Sequence, residues 1–257
     1  MANSIQQLFK HKGNNILSVF ITAGYPTLEA LPDILKALQS NGIDMVEIGM
    51  PFSDPTADGP VIQHSNNIAI KNGMTIKLLF EQLKDIRKDI HIPLVLMGYI
   101  NPALQFGFDN FLAAARSCGI DGVIIPDLPI YEYEHIYGDL FKKHDLQNIF
   151  LITPQTSNER IQKIDQISNS FIYVVSTHAI TGANIDLEAQ QVAYFDRIKT
   201  LGLRNPTVIG FGIKDKDTLA FAHKNANGAI IGSAFVKALE NQQDISTTVA
   251  DFIRQLQ

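Results

Sequence analysis

The sequence predicts an α/β protein that folds as a single (β/α)8 TIM barrel over residues 1–257, with an extra helix before the first strand. Short apolar runs alternate with longer segments of helical period, which is typical of a parallel sheet covered by helices. Eight such runs share 257 residues, about 32 each, which is close to one strand, one helix and their loops. No linker interrupts the rhythm, so we expect one domain. An open doubly wound sheet is the alternative, because a strand count does not prove closure.

The predicted elements follow in order along the chain. A weak helical pattern around Ile5 to Lys10 comes first, placed to close the amino-terminal end of the barrel. The eight predicted strands span Leu17 to Thr22, Met45 to Ile48, Leu94 to Met97, Gly122 to Ile125, Asn148 to Ile152, Phe171 to Val175, Thr207 to Gly210 and Gly228 to Ile231. Apolar residues three and four apart predict covering helices between them, as in Leu31, Leu35 and Leu38, which precede a stop at Gly42.

Composition and charge exclude several classes of function. The chain is 46% hydrophobic and 18% charged, which is enough apolar material for a packed core. Its 21 Lys and Arg against 26 Asp and Glu give a net charge of −5, so nucleic acid and anionic membranes are not predicted partners. Cys118 is the only cysteine, which excludes an internal disulfide, and no apolar run approaches the roughly 18 residues of a membrane span. With no signal-peptide pattern at its beginning, we expect the chain to be cytoplasmic.

Glu47 is a carboxylate inside a predicted strand. Alternation places it on the face of Met45 and opposite Val46 and Ile48, and one of these faces forms the barrel interior. An unpaired carboxylate there is costly to ionise, so burial raises its pKa toward the range useful for acid–base chemistry. The structural alternative is an interior Glu that hydrogen-bonds to a polar neighbour.

The loop after this strand carries two further carboxylates. Pro51 to Pro60 contains three prolines and one glycine, which restrict the backbone around Asp54 and Asp58. Such a loop at the carboxyl end of a barrel strand can hold a carboxylate over a substrate. Turn capping by the aspartate side chain is the alternative for each, and the residues alone favour it.

Glycine turns follow the last two predicted strands, where barrels commonly bind phosphate. Gly210 to Gly212 follows one strand, and Gly232 with Ser233 follows the next. Small residues let backbone N–H groups approach an anion, and the helix that follows directs its positive end toward it. Thr181 and Gly182 can complete this phosphate site, while tight turns are the structural alternative. Neither a dinucleotide fingerprint nor a G-K-[ST] phosphate loop occurs, so no nucleotide cofactor is predicted.

Metal and covalent chemistry have no sequence support. None of the seven histidines has the H-x-x-x-H spacing of a helical metal site. His178 follows a predicted strand and could approach a substrate, although a solvated loop histidine is the simpler interpretation. No G-x-S-x-G elbow occurs, and Cys118 falls at a predicted helix end away from the expected active face.

These motifs together resemble the alpha-subunit family of tryptophan synthase, nearly end to end. The stretches that carry the resemblance are Phe20 to Pro26 (FITAGYP), Glu47 to Pro60 (EIGMPFSDPTADGP), Gly122 to Pro129 (GVIIPDLP), Gly210 to Ile213 (GFGI) and Gly232 to Ala234 (GSA). The resemblance implies a (β/α)8 barrel that cleaves indole-3-glycerol phosphate to indole and glyceraldehyde 3-phosphate in tryptophan biosynthesis.

The resemblance also implies roles for individual residues. Glu47 corresponds to the principal acid–base residue, Asp58 to the second carboxylate and Tyr173 to the active-site tyrosine. The implied phosphate and indole contacts are Phe20, Leu96, Tyr99, Thr181, Gly182, Gly212, Ile213, Gly232 and Ser233. Ala179 departs from the pattern, since family members commonly have glycine there, and alanine restricts the backbone of that loop.

A partner is implied as well. Members of the family dock on a beta subunit that carries pyridoxal phosphate, usually as two alpha and two beta chains, and pass indole to it through a tunnel. Asp54, Asn101 and Pro129 are the expected partner contacts, with no cofactor and no metal in this chain.

Three rival functions stay open at this point. A phosphosugar isomerase barrel shares the phosphate site but does not need the long motif around Asp58. The chain could instead act chiefly as a binding and activating subunit, or as a lyase that releases indole without a partner.

Overall fold

The structure is a computed structural model that describes residues 3–56, 58–176, 185–240 and 244–256. Its strands in this part of the chain are β1 (Ile16–Thr22), β2 (Met45–Gly49), β3 (Leu94–Met97), β4 (Gly122–Ile124), β5 (Gln147–Ile149), β6 (Leu151–Ile152), β7 (Ile172–Val175), β8 (Thr207–Gly210) and β9 (Gly228–Ile231). Among the described residues, no helix is both long and apolar enough to cross a bilayer.

The strands form one parallel sheet that curls into a barrel. Their order is β5-β4-β3-β2-β1-β9-β8-β7-β6, so the two ends of the sheet are β5 and β6. Only Phe150 separates these two strands in the chain, which brings the ends of the sheet together. The predicted barrel is confirmed, and the doubly wound alternative is wrong because the strand order never reverses. The fifth predicted strand is split at Phe150, because β5 pairs only with β4 and β6 only with β7.

In the described part of the chain, helices surround the sheet, and the first of them covers its amino-terminal end. They are α1 (Ser4–His11), α2 (Leu31–Ser40), α3 (Pro60–Lys71), α4 (Ile76–Leu83), α5 (Ile100–Phe106), α6 (Phe108–Ser117), α7 (Ile130–Glu132), α8 (Gly138–Lys143), α9 (Asn158–Ile167), α10 (Ile185–Thr200), α11 (Lys216–Asn225), α12 (Ser233–Ala238) and α13 (Ile245–Leu256). A 3₁₀ turn at Ile86–Lys88 follows α4, and a π-helical turn at Tyr133–Tyr137 joins α7 to α8. In α2 the buried side chains recur at three- and four-residue spacing, which is the apolar stripe expected of a covering helix.

Helix α1 lies under the amino-terminal end of the barrel, as its sequence predicted. Ile5 is fully buried, and its Cδ1 lies 3.0 Å from the position that a Cβ on Gly122 would take. The Asn3 side chain caps α1 and donates a hydrogen bond to the Asp121 carbonyl at 2.9 Å. These contacts close the end of the barrel opposite the predicted site.

The tripeptide Gly-Ile-Asp occurs at Gly42 to Asp44 and at Gly119 to Asp121, and its aspartate hydrogen-bonds to a neighbouring strand at that same end of the barrel. Asp44 accepts the Leu17 N–H at 2.8 Å, and Asp121 accepts the Leu94 N–H at 2.9 Å. Each carboxylate also pairs with a cation, Lys12 in the first case and Arg87 in the second. The repeated phrase therefore serves stability at the amino-terminal end and not chemistry.

The register decides which side chains face the interior. Glu47 pairs with Phe20 of β1 and with Val95 of β3, so these three side chains share one face of the sheet. On the other side of the barrel Tyr173 pairs with Val208. A large cavity is lined by Phe20 and Tyr173, which identifies this face as the interior.

Candidate active site

Glu47 is a fully buried carboxylate on the barrel interior. Its exposed fraction is 0%, and among the described residues neither carboxylate oxygen has a hydrogen-bond partner. Burial in these surroundings raises the pKa of Glu47 from 4.5 to about 8. Desolvation alone accounts for this rise, because removal from water penalises only the charged form. The side chain is therefore mostly protonated at pH 7 and can act as an acid.

Asp58 lies in the loop between β2 and α3, half-buried at the mouth of the barrel. Gln63, in the first turns of α3, fixes the loop by donating its amide to the Asp58 carbonyl at 2.8 Å. Burial raises the pKa of Asp58 from 3.8 to about 6, and a hydrogen bond from the Tyr99 hydroxyl at 3.4 Å opposes the rise. This carboxylate is mostly ionised at pH 7, in contrast to Glu47.

The pKa of Tyr173 is affected by both carboxylates. Burial, followed by the negative charges of Glu47 and Asp58, raises the pKa of Tyr173 well above 10.0. Tyr173 and Asp58 line the same cavity, and Phe20, which also lines it, is paired with Glu47. The Tyr173 hydroxyl occupies space that only a glycine at position 210 leaves free, since a Cβ there would lie 2.0 Å from it. Gly49 on β2 leaves room for the Phe20 ring in the same way.

A cavity of about 280 Å³ opens at the carboxyl end of the barrel between these residues. In the described part of the chain its lining consists of Phe20, Asp58, Ile62, Met97, Tyr173, Phe211, Gly212, Ile213, Lys214, Ile230, Gly232, Ser233 and Ala234. Glu47 does not line it directly but shares the face of Phe20, which does. A smaller cavity of about 20 Å³ adjoins Asp58 and Tyr99.

The phosphate site predicted from the glycine turns lies at one side of this cavity. Phe211 and Gly212 have φ angles of 68° and 73°, and left-handed backbone is strained for phenylalanine. Ser176 holds the turn in place, because its hydroxyl donates to the Phe211 carbonyl at 2.6 Å and its N–H donates to the Gly210 carbonyl at 3.0 Å. Gly232 and Ser233 begin α12 at the same cavity.

The structure brings most of the predicted site residues together. The predicted residues that line the large cavity are Phe20, Asp58, Tyr173, Gly212, Ile213, Gly232 and Ser233. Tyr99 lines the small cavity beside Asp58. Thr181 and Gly182 fall outside the described residues, as do His178 and Ala179.

Leu96, unlike Glu47, lies neither at a cavity nor on the interior face of its strand. It pairs with Ile48, on the face of β2 opposite Glu47, and is fully buried there. Its neighbour Met97 pairs with Gly49 and lines both cavities instead. Strand alternation separates these two positions, but the register that decides between them is not visible in the sequence.

Sequence reasoning missed several residues that line the large cavity. They are Ile62, Met97, Phe211, Lys214, Ile230 and Ala234. The apolar members carry no chemical signal in the sequence. Lys214 did carry one, since it is a cation directly after the Gly210 to Ile213 motif.

The three expected partner contacts lie at the same end of the barrel. Asp54, Asn101 and Pro129 are exposed, and they follow β2, β3 and β4 respectively. The loops after β3 and β4 are joined by a hydrogen bond of 2.9 Å from the Ile100 N–H to Asp127.

The described residues contain no candidate metal site. Among the described residues, no group of three or more His, Cys, Asp or Glu side chains is placed to hold a metal ion.

The fold and the site together define a barrel enzyme of the acid–base type. It carries one protonated and one ionised carboxylate at the carboxyl end of a (β/α)8 barrel, next to glycine turns suited to an anion. Comparison with known proteins identifies the family within this class. The chain belongs to the tryptophan synthase alpha chain family, which matches residues 6–257.

Relatives and solved structures agree with this assignment. The chain is 55% identical over 249 residues to the tryptophan synthase alpha chain of Phocaeicola vulgatus, covering 97% of this chain and 96% of the relative. It is 53% identical over 237 residues to that of Flavobacterium psychrophilum, covering 92% and 93%. A crystal structure of tryptophan synthase subunit alpha from Legionella pneumophila has a TM-score of 0.88 at 32% identity, covering 100% of this chain and 97% of that one. The resemblance predicted from the motifs is confirmed, and family membership supports the lyase activity that it implied.

Proposed function

We propose that this chain catalyses the retro-aldol cleavage of indole-3-glycerol phosphate to indole and glyceraldehyde 3-phosphate, a step of tryptophan biosynthesis. One observation carries the proposal. Burial raises the pKa of Glu47, on the barrel face of Phe20, to about 8, whereas the pKa of Asp58, which lines the cavity, is raised only to about 6, so Glu47 keeps its proton to higher pH than Asp58. The family assignment fits this chemistry.

Glu47 supplies the proton that makes the carbon–carbon bond breakable. Protonation at indole C3 converts the ring into an electron-poor indolenine, which accepts the electron pair of the bond to the glycerol chain. The hydroxyl on the adjacent glycerol carbon loses a proton as its carbon becomes the aldehyde, so one proton enters and one leaves. A carboxyl group that is protonated at the start and becomes a carboxylate after donation can serve both transfers.

Asp58 stabilises the charge that this protonation creates. Positive charge develops on the indole ring, and an ionised carboxylate that accepts the indole N–H stabilises it in a partly dehydrated site. Tyr173 lines the same cavity as Asp58 and is the residue that we expect to position the pair. Phe20 and Met97 provide apolar walls for the indole ring on the same barrel face.

The phosphate binds at the glycine turns. Gly212, Gly232 and Ser233 offer small residues and a hydroxyl at the side of the cavity. Thr181 and Gly182 belong to this proposed set by their motif alone. The reaction needs no cofactor in this chain, because the protonated ring is itself the electron acceptor.

A tryptophan synthase beta chain is the proposed partner, in a complex of two alpha and two beta chains in which the beta chain carries pyridoxal phosphate. Exposed apolar side chains lie in α5, which carries Asn101, and in α7, which follows Pro129, with Leu104 43% and Tyr131 67% exposed. Such residues are typical of the centre of a protein interface. Asp54 extends this surface from the loop after β2.

We place the complex in the cytoplasm, where the free thiol of Cys118 stays reduced.

An indole-release assay with indole-3-glycerol phosphate tests the activity. The wild-type chain is compared with Glu47→Gln, which keeps the shape of the side chain and removes the proton, and with Glu81→Gln, which changes an exposed carboxylate on α4. We expect Glu47→Gln to lose at least about a hundredfold in kcat and Glu81→Gln to match the wild type. No indole release by the wild type with or without the beta chain would overturn the proposal.

The same assay with and without the beta chain separates the rival roles. Release only in the mixture indicates an activated subunit, whereas full turnover unaffected by the beta chain indicates a stand-alone lyase. Tyr131→Asp tests the surface, because a charge at its centre prevents co-elution of the two chains in size-exclusion chromatography. Val192→Asp is the matched control, since Val192 is 43% exposed on α10, away from the three loops.

A further inference from the structure

The large cavity and the proposed phosphorylated substrate both carry negative charge. An ionised Asp58 lines it, and the chain as a whole carries a net charge of −5. A phosphate monoester brings close to two further negative charges at pH 7. Backbone N–H groups and one hydroxyl can hold its oxygens, but none of them carries a full positive charge.

Lys214 is the one cation among the described residues that line this cavity. It follows Ile213 at the end of the glycine turn, on the side of the cavity where Gly212 and Ser233 lie. Lys214 therefore adds a positive charge beside the backbone N–H groups and the hydroxyl that are suited to phosphate.

The contribution of Lys214 comes from its side chain and not from its backbone amide. The Lys214 N–H is already committed, since it donates to the Thr218 hydroxyl at 3.0 Å. The side chain is exposed, and within the described residues it forms no ion pair, whereas the neighbouring Asp215 is held by the Thr218 N–H and hydroxyl. The Lys214 ammonium is thus left available for an anion that enters the cavity.

We propose that the Lys214 ammonium is a direct ligand of the substrate's phosphate group and gives this site its selectivity for a phosphorylated substrate. The inference rests on the proposed function for the identity of the substrate. The role is binding and not chemistry, because Lys214 lies at the glycine-turn side of the cavity and takes no part in proton transfer at the ring. It predicts an effect on KM with kcat nearly unchanged.

Binding of glycerol 3-phosphate, measured by isothermal titration calorimetry, tests the ligand role without any reaction. We expect Lys214→Gln to raise the Kd about tenfold and Lys214→Arg to stay near the wild type, because charge-assisted hydrogen bonds contribute about that much. Lys237→Gln is the control: it removes an exposed lysine of α12 that does not line the cavity, and it should bind as the wild type does. Equal Kd values for the wild type and Lys214→Gln would overturn the inference.

Ionic strength distinguishes a charge effect from a structural one. The wild-type KM should rise between about 20 mM and about 300 mM salt, and the Lys214→Gln KM should rise less, because screening acts only on charges that are present. Parallel salt dependence in the two proteins would contradict the proposal. If the wild type binds glycerol 3-phosphate through Lys214 but releases no indole, the proposed reaction fails and the phosphate ligand stands. If the wild type releases indole but Lys214→Gln binds glycerol 3-phosphate as the wild type does, the proposed reaction stands and the phosphate-ligand role of Lys214 fails.

Discussion

Replacing Glu47 by Gln should remove activity and at the same time stabilise the protein at neutral and alkaline pH. In the unfolded chain this carboxyl loses its proton near pH 4.5, while in the folded chain burial delays the loss to about pH 8. Between these values the folded state holds one more proton than the unfolded state, so the free energy of unfolding falls as pH rises, by about 1.36 kcal/mol per unit. Over the whole interval the loss is about 5 kcal/mol, and about 3 kcal/mol of it has occurred by pH 7.

Urea unfolding of the isolated chain at a series of pH values from 5 to 9 measures this loss. Glutamine does not titrate, so the stability of Glu47→Gln relative to the wild type should increase steadily up to about pH 8 and then level off. Glu81→Gln should give a curve parallel to the wild type, because that side chain is exposed. A constant difference between Glu47→Gln and the wild type across the series would refute the reasoning, since it would mean that Glu47 titrates normally in the folded state.

Three further predictions concern turnover and stability. The plot of kcat/KM against pH should be bell-shaped, rising near pH 6 as Asp58 ionises and falling near pH 8 as Glu47 loses its proton, and Asp58→Asn should abolish the acidic limb in steady-state assays. Gly210→Ala places a Cβ 2.0 Å from the hydroxyl of Tyr173 and should lower kcat at least about tenfold, while Gly59→Ala should not, because its added Cβ would meet no described heavy atom within 4 Å apart from its chain neighbours. Arg87→Met leaves a buried carboxylate without its cation and should cost about 3 kcal/mol in urea unfolding while indole release is unchanged; equal midpoints would contradict it.

The barrel was predictable because its strands are buried on both faces. Strands such as β3 (LVLM) and β9 (GAII) contain no polar or charged residue, and the structure gives them the predicted bounds. The break at Phe150 was not predictable, since it reflects the place where the two ends of the sheet meet. That pairing is a property of the closed barrel and leaves no mark on local sequence.

The chemistry-bearing residues of the site were predictable to a greater extent than its apolar walls. Glu47 was visible because a carboxylate inside an apolar strand conflicts with its surroundings, and such conflicts concentrate at functional sites. Met97 was invisible, because one methionine at the end of an apolar strand looks like any core residue. Leu96 was expected from the family resemblance, and only the register between β2 and β3 shows that Met97, one residue on, is the residue that faces the interior.

The lack of a partner for Glu47 among the described residues is what makes it useful. A nearby cation or hydrogen-bond donor would favour its charged form, lower its pKa and return the stability that burial removes. It would also leave a carboxylate at pH 7 that has no proton to give to the indole ring. The cation that lines the cavity, Lys214, lies instead beside the glycine turns, where we propose that the phosphate binds. A positive charge close to Glu47 would lower its pKa. The raised pKa of Glu47 and the positive charge of Lys214 can exist in one site because Glu47 is buried in the barrel interior while Lys214 is exposed to solvent.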